Sequence, residues 1–344
     1  MSAGPVTITD VARAANVSPA TVSRVLNGTS VVSPARAEAV RSAADRLGYS
    51  PFGPARALRR QVTRVWAAII ADIENPFFTA MVRGIEDVAS AEGFRLVLCN
   101  SDEHVEKERA YVDVVIAERM AGVVIAAASN DDSSLEPLLE REVPIVAVDR
   151  SPADDQIDAV LVDNRAGARD AVTHLIDQGW QRIACITGPT RVDTATDRLD
   201  GYRDALRARR QGVDRALVRR ADYKEAGGYR ATRSLLESST PPDALFVANN
   251  PMAVGALRAA RDLGKSVPHD IGLVAFDDSP WTTLTSPTLT VVAQPAYEIG
   301  QTAAELLVSA GADRAARQVV LSPTLLVRQS SIRPRDPKRR EARR

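Results

Sequence analysis

From Arg64 onward, short aliphatic runs alternate with amphipathic segments as far as about residue 331. Such alternation predicts βαβ units with parallel sheets, and its length is too great for one doubly wound sheet. We therefore expect two doubly wound α/β lobes. The predicted strands are 65–71, 95–99, 122–126, 143–148, 159–162, 182–186, 243–247 and 271–275. The predicted helices are 77–92, 105–118, 165–178, 196–210, 226–238, 251–263 and 296–309.

The N-terminal part of the chain has a different pattern, which predicts three short helices. Thr9 is the expected N-cap of the first helix, and Ser18 followed by Pro19 is a strong start signal for the second. Ser33 and Pro34 repeat that signal for the third helix. Apolar residues recur at helical spacing in the last two helices, at Val22, Val25, Leu26, Ala37, Val40, Ala44 and Leu47.

The net charge of zero conceals a segregation of charge along the chain. Residues 1–64 contain nine arginines against three acidic residues, a net charge of +6. Residues 333–344 contain seven basic and two acidic residues, whereas residues 65–332 contain 28 basic and 39 acidic residues. This distribution indicates that the basic N-terminal part contacts a polyanion. Charge alone does not separate a nucleic acid from an anionic membrane surface.

Several classes of protein are excluded by composition and motifs. The apolar runs are too short to span a bilayer, and the N-terminus has no secretory signal pattern. Cys99 and Cys185 lie inside apolar runs, which is typical of reduced core thiols in a cytoplasmic protein. The three histidines are scattered, and no dinucleotide, phosphate-loop, nucleophile-elbow or zinc-protease motif is present. We therefore expect no enzyme activity, no cofactor and no metal.

The segment TITDVARAANVSPATVSRVLNG indicates a helix-turn-helix. Thr21 and Ser23 on the outer face of the second helix can donate hydrogen bonds to phosphates, and Arg24 can bond guanine through two donors. A small helical protein-binding module is the alternative. The residues expected outward on this helix are Pro19, Ala20, Thr21, Ser23 and Arg24.

These residues, followed by LGY and the AR.L pattern, resemble the headpiece and hinge of the lactose-repressor (LacI/GalR) family of bacterial transcriptional regulators. The resemblance continues through NPFF, GVVI, ITGP, ANN and DIGLVAFDD, over about residues 6–331. It implies an all-α helix-turn-helix headpiece, a hinge helix and a core like that of periplasmic sugar-binding proteins. The implied domains are 1–50 for the headpiece, 51–62 for the hinge, 63–331 for the core and 332–344 for a basic disordered tail. Within the core, the N-lobe is expected at about 63–162 and 294–320, and the C-lobe at about 163–293 and 321–331.

The resemblance also assigns DNA-binding roles position by position. Pro19, Ala20 and Arg24 match positions that face base edges, and Leu58 matches a leucine that family members insert into the minor groove. The complete set of expected DNA-binding residues is Thr9, Ser18, Pro19, Ala20, Thr21, Ser23, Arg24, Asn27, Ala55, Arg56 and Leu58.

The hinge departs from the family pattern. Phe52 stands where the family usually has Asn, and Gly53 and Pro54 follow it. Glycine and proline are poor residues inside a helix, so we expect a shorter or later hinge helix.

A second site is expected where polar and aromatic residues follow the predicted strands, because ligands of open α/β sheets bind at the carboxyl ends of strands. Arg198, Asn249 and Asp277 offer donors and acceptors for sugar hydroxyls, and Phe78 and Tyr223 offer faces for a sugar ring. By resemblance these positions match the family's effector contacts. The expected effector-binding residues are Phe77, Phe78, Arg150, Asp193, Thr194, Arg198, Tyr223, Asn249 and Asp277.

Arg150 favours a ligand with a carboxylate or phosphate over a neutral sugar. The alternatives to a binding role are an ion pair on the helix face for Arg198 and core positions for Phe77 and Phe78.

These observations predict a homodimeric repressor that binds a near-palindromic DNA operator under the control of a small sugar-like effector. The expected dimer segments are Phe78–Val88 and Pro295–Val308, and the tail lacks the apolar heptads that would link a tetramer. Two other classes remain. A solute-binding protein of a transporter would need a signal peptide and no headpiece. A sugar-processing enzyme would need a nucleophile–base pair in the pocket.

Overall fold

The computed structural model describes residues 6–27, 32–47, 62–130, 135–310 and 315–334. The chain divides into two compact units, Met1–Thr63 and Arg64–Arg344. In the first unit, α1 (Ile8–Ala14), α2 (Pro19–Asn27) and α3 (Pro34–Leu47) enclose a small core. Small aliphatic side chains fill that core, namely Val11, Ala12, Val22, Val40, Ala43 and Ala44.

The starts of the first two helices follow from local hydrogen bonds. The prediction of Thr9 as the N-cap of α1 is wrong, because Thr7 caps the helix: its hydroxyl accepts from the Asp10 amide, and the Asp10 carboxylate accepts from the Thr7 amide. Such a reciprocal pair satisfies two otherwise free amides. Ser18 starts α2 as predicted, since its Oγ accepts from the Thr21 amide at 3.2 Å. Asn16, with φ at 51°, turns the chain between the two helices.

The second unit consists of two lobes, each built on one six-stranded sheet. The strands of the N-lobe are β1 (Val65–Ile70), β2 (Arg95–Asn100), β3 (Gly122–Ile125), β4 (Ile145–Val148), β5 (Asp158–Val162) and β11 (Gln318–Leu321). Its helices are α4 (Pro76–Ala91), α5 (Val105–Ala117), α6 (Glu136–Leu139) and α11 (Ala296–Val308). The strand order is β11-β5-β4-β3-β1-β2, and every neighbouring pair is parallel.

The C-lobe repeats this architecture. Its strands are β6 (Ile183–Thr187), β7 (Val218–Arg220), β8 (Ala244–Val247), β9 (Gly272–Phe276), β10 (Thr290–Ala293) and β12 (Thr324–Leu326). Its helices are α7 (Asn164–Asp177), α8 (Asp193–Ala208), α9 (Glu225–Leu236) and α10 (Asn250–Asp262). The order is β12-β10-β9-β8-β6-β7, with β12 antiparallel to β10. The chain crosses between the lobes after β5, β10 and β11, and the prediction of two doubly wound lobes is confirmed.

Other expectations concern single side chains and the tail. Cys99 and Cys185 are both free and buried. Arg333, expected in a disordered tail, lies with its guanidinium 4.8 Å from the centre of the Trp180 ring and donates to the Gly179 carbonyl. Residues 335–344, which make up most of the expected tail, lie outside the described residues. No helix in the described ranges is long and apolar enough to cross a membrane.

Candidate functional site

A cleft between the two lobes of the second unit collects side chains from the carboxyl ends of strands in both sheets. Its empty volume is about 370 Å³ when the solvent at its mouth is included. Sites for small molecules commonly occupy this position in open α/β sheets. The residues that line it are Asp72, Asn75, Phe77, Phe78, Glu103, Asp149, Arg150, Thr194, Arg198, Tyr223, Asn249, Asp277 and Gln294.

Arg198, on α8, is the most firmly held cation of the C-lobe wall. Its Nε donates to Asn164 Oδ1 at 2.8 Å, and its Nη1 donates to the Ala248 carbonyl. The guanidinium lies 4.0 Å from the centre of the Phe276 ring, a favourable cation–π distance. Because backbone and ring fix this buried group, it can present its remaining edge to a ligand without losing much side-chain entropy.

Tyr223 and Asn249 form the adjoining part of the same wall. The Asn249 amide nitrogen donates to the Tyr223 carbonyl at 2.9 Å, and its oxygen caps α10 by accepting from the Met252 amide. The Tyr223 ring packs so closely over Gly188 that a Cβ there would lie 2.2 Å from the ring. Burial raises the pKa of Tyr223 to about 12, so its hydroxyl stays protonated and lies 3.3 Å from Thr194 Oγ1.

Asp277 follows β9 and is the acceptor of the C-lobe wall. Its Oδ1 accepts from Gln294 Nε2 at 2.6 Å. Burial raises the pKa of Asp277, while the Arg198 guanidinium and the Gln294 amide oppose that shift. Within the described ranges, the buried Gln294 Oε1 has no protein donor, which leaves it available to a ligand hydroxyl. Asp278 is directed elsewhere and pairs with Arg328 at 2.7 Å, as expected for adjacent residues at a strand end.

The N-lobe wall begins with the aromatic pair at the start of α4. Asn75 is the N-cap and accepts from the Phe77 amide at 3.1 Å. Phe77 and Phe78 meet edge to face, with ring centres 5.1 Å apart. Both rings are buried in the N-lobe core and also border the cleft. A core position for these rings is therefore compatible with contact to a ligand.

Arg150 is paired within the N-lobe. Its Nη2 donates to Glu103 Oε1 at 2.6 Å and its Nη1 donates to Oε2 at 3.0 Å. Asp149 lies beside the pair, with its Oδ2 at 3.6 Å from Arg150 Nε. Burial raises the pKa of Asp149 to about 6, against the opposing charges of Arg150 and Arg198. The charge of Arg150 is therefore matched within the protein by the Glu103 carboxylate.

Left-handed backbone is concentrated around the cleft. Of the nine non-glycine residues with positive φ in the described ranges, four line it: Glu103 at 63°, Asp149 at 65°, Tyr223 at 62° and Asp277 at 72°. This conformation costs about 1 kcal/mol or more for such residues and is common at binding sites. The strand ends turn sharply there and carry their side chains to the cleft.

Among the described residues, three sets of contacts join the lobes across the cleft, one of which is made by Arg191 with the Ala128 and Glu103 carbonyls. Lys224 of the C-lobe donates to Asp72 at 2.9 Å and to Asp102 at 2.7 Å, both in the N-lobe. The second set involves Asp193, whose carboxylate accepts from the Ser151 amide at 2.7 Å and whose own amide donates to Asn130. Asp193, which was expected to bind the effector, is not among the described residues that line the cleft. Its carboxylate and amide form these contacts between the lobes.

The structure places the expected DNA-binding residues unevenly. Pro19, Ala20 and Arg24 are exposed on α2, whereas Thr21 and Ser23 are half-buried. The Thr21 hydroxyl lies 2.9 Å from Ser18 Oγ. Thr9 is exposed in the first turn of α1. Four of the expected DNA-binding side chains lie outside the described part of the structure, namely those of Asn27, Ala55, Arg56 and Leu58.

Five lining residues were not among the expected effector-binding residues, namely Asp72, Asn75, Glu103, Asp149 and Gln294. Asp72 and Glu103 follow β1 and β2, so the strand-end argument that selected Arg150 and Asp277 could have found them. Gln294 follows β10, which was not predicted as a strand. No group of three or more His, Cys, Asp or Glu within the described ranges could hold a metal ion.

Both units of the chain match known protein families. Residues 7–51 match the family "Bacterial regulatory proteins, lacI family", and residues 172–331 match the "Periplasmic binding protein-like domain". The ribose operon repressor of Halalkalibacterium halodurans is 40% identical over 88% of this chain and 89% of that protein. The transcriptional regulator CelR in complex with cellobiose is 34% identical, with a TM-score of 0.73, over 94% of this chain and 99% of that chain. The lac repressor dimer bound to operator is 29% identical, with a TM-score of 0.84, over 96% of this chain and 100% of that chain.

Proposed function

The chain belongs to the lacI family of bacterial regulatory proteins, and we propose that it is a homodimeric repressor whose operator binding is controlled by a neutral sugar. Membership of the family makes the chain a DNA-binding transcriptional regulator with an effector-binding domain, as the sequence predicted. The observation that carries the ligand class is the pairing of Arg150 with Glu103 inside the cleft.

The DNA-reading role is assigned to the exposed face of α2. Pro19 and Ala20 have no side-chain hydrogen-bonding group, so direct base readout depends on Arg24, with apolar contact as its complement. The Ser18 and Thr21 hydroxyls remain close enough to the surface to bond phosphates and fix the orientation of the helix. From the family pattern, we propose that Ala55 and Arg56 contact the minor groove beside Leu58, which inserts into it.

Arg24→Ala tests this assignment. The substitution is expected to cost about 1–3 kcal/mol of operator binding and to relax the preference at one base position, because a two-donor contact to guanine is lost. The measurement is selection from a random DNA library followed by fluorescence anisotropy. Arg169→Ala, at an exposed arginine of α7, is the matched control. An unchanged base preference would remove Arg24 from the readout.

The dimer is supported by the lac repressor relative and by the need for two headpieces to read a near-palindrome. The expected dimer segments, Phe78–Val88 and Pro295–Val308, lie on α4 and α11, where the Tyr297 hydroxyl donates to Asp87 at 2.8 Å. Native mass determination distinguishes a dimer from a monomer or a tetramer.

The choice of a neutral ligand follows from charge. Four carboxylates line the cleft, at Asp72, Glu103, Asp149 and Asp277, against two arginines. An anionic ligand would add charge where negative groups already outnumber positive ones. Hydroxyl groups, in contrast, can accept from Arg198 and donate to Asp277 or Gln294. The relatives are named for ribose and cellobiose, both of which are neutral sugars.

The ligand class is tested by thermal shift with D-ribose, other neutral pentoses and hexoses, and their acid or phosphate derivatives. A ligand that binds the folded state raises the melting temperature by mass action. We expect stabilisation by a neutral sugar and none by its anionic derivatives. Stabilisation by the anions alone would contradict the proposal.

A further inference from the structure

We propose that Glu103 sets the charge class of the ligand: it holds Arg150 in a neutral pair, so the cleft accepts uncharged hydroxylated molecules and rejects carboxylates and phosphates. This inference rests on the proposed effector cleft and identifies the residue that controls its selectivity.

The geometry of the pair is that of a ligand carboxylate on an arginine. Both Glu103 oxygens accept from the two terminal nitrogens of Arg150, at 2.6 and 3.0 Å. The exposed fractions of the two side chains are 10% for Glu103 and 2% for Arg150. A planar guanidinium can make a two-point contact with a carboxylate or phosphate through its terminal edge or through its Nε side edge. Glu103 occupies the terminal edge of Arg150, and the Asp149 carboxylate lies 3.6 Å from its Nε, so both edges face acidic groups of the protein.

Backbone contacts hold Glu103 in this position. Asp102 and Glu103 have successive left-handed φ values of 54° and 63°. The Glu103 amide donates to the Ala71 carbonyl at 3.0 Å, and the Glu103 carbonyl accepts from Arg191 of the C-lobe at 3.1 Å. Both lobes thus fix the backbone of the turn from which the Glu103 side chain reaches Arg150.

Removal of the Glu103 charge would leave Arg150 with a single acidic neighbour. Asp149 lies 3.6 Å from Arg150 Nε, and that buried nitrogen has no hydrogen-bond acceptor within the described ranges. The terminal edge of the guanidinium would then be open to an anionic group. Glu103→Gln is nearly isosteric and keeps one acceptor for Arg150, so it changes the charge with little change in packing.

The experiment titrates wild type and Glu103→Gln with D-ribose, D-ribonate and inorganic phosphate by calorimetry. We expect the affinity for D-ribonate relative to D-ribose to rise at least about tenfold in the variant, and phosphate binding to become measurable, since charge-assisted hydrogen bonds are gained. An unchanged ratio with no phosphate binding would overturn the inference. If Glu103→Gln does not fold, Glu103→Asn replaces it, because asparagine tolerates left-handed backbone well.

Two further variants locate the effect. Glu106→Gln removes an exposed carboxylate nearby and is expected to behave as wild type. In the double variant Glu103→Gln/Arg150→Gln the gain in anion binding should disappear, and a gain that persisted would contradict the role of Arg150. A wild type that ignores D-ribose would contradict the proposed effector, while phosphate binding by Glu103→Gln would still support the inference. If the wild type binds D-ribose but Glu103→Gln shows no gain in D-ribonate or phosphate binding, the result would support the proposed effector and contradict the role of Glu103.

Discussion

The two walls of the cleft share one architecture but treat charge differently. On the C-lobe wall, Arg198 and Asn249 are each tied to the protein backbone through carbonyl groups, and each retains polar atoms at the cleft. On the N-lobe wall, the charged groups satisfy each other, as in the pair of Glu103 with Arg150. Backbone-anchored groups form a fixed hydrogen-bonding frame, whereas paired charges adjust the electrostatic character of the site. We therefore expect C-lobe substitutions to abolish binding and N-lobe substitutions to change selectivity or stability.

The largest effect is expected at Asp277. Asp277→Asn keeps a residue that tolerates the φ of 72° but replaces one carboxylate oxygen by a donor. Ligand affinity should fall by more than about 100-fold, or about 3 kcal/mol, because a charged acceptor facing ligand hydroxyls is lost. Operator affinity without ligand should stay unchanged. Asp278→Asn, beside it but paired with Arg328, is the control and should leave ligand affinity intact.

Asp149→Asn tests the N-lobe wall through its effect on the free energy of unfolding rather than on ligand affinity. The pKa of Asp149 rises to about 6 in the folded protein from 3.8, so the ionised group costs folding free energy above that pH. The substitution should stabilise the protein by about 2–3 kcal/mol at neutral pH.

This gain should shrink as the pH falls through 6 toward 4, because wild-type Asp149 then takes up its proton in the folded state. Denaturant unfolding at several pH values measures the difference. A gain independent of pH would show that Asp149 is not the titrating group.

The smallest effect is expected for the contact that joins the walls. Lys224 is one-third exposed and spans the cleft to Asp72 and Asp102. Lys224→Met should weaken ligand binding about three- to tenfold, mainly through faster dissociation, because a partly solvated ion pair contributes about 1 kcal/mol to closure.

High salt should reduce the difference between wild type and this variant. Lys265→Met, at an exposed lysine of the same lobe, is the control for stopped-flow kinetics. Equal dissociation rates for wild type and Lys224→Met would show that this contact does not hold the lobes together.

The strands and helices that sequence predicted best are those buried on both faces. Periodicity located β1 and β8 within a residue or two because continuous aliphatic runs mark parallel strands. The strands β10, β11 and β12 were not predicted. β11 and β12 lie at the edges of their sheets and are exposed or half-buried, so no continuous buried run like that of β1 or β8 marks them.

The positions of residues after predicted strands located most of the site, whereas the hydrogen-bond and ion-pair partners of those residues could not be predicted from the sequence. Eight of the nine expected effector residues line the cleft, but Asp193 is taken up by the Ser151 amide. Glu103 pairs with a residue 47 positions away, a relation that local pattern does not contain. That one long-range contact is the reason we propose a neutral ligand rather than an acidic one.

In this protein, we propose, one unit reads DNA sequence while ligand binding in the cleft of the other unit controls operator affinity. The direct measurement is operator affinity of the full chain, by anisotropy on DNA selected from a random library, with and without saturating neutral sugar. We expect enrichment of a near-palindrome and a change in affinity of about 5- to 150-fold on adding the sugar. No sequence enrichment, or an affinity that no neutral sugar alters, would contradict it.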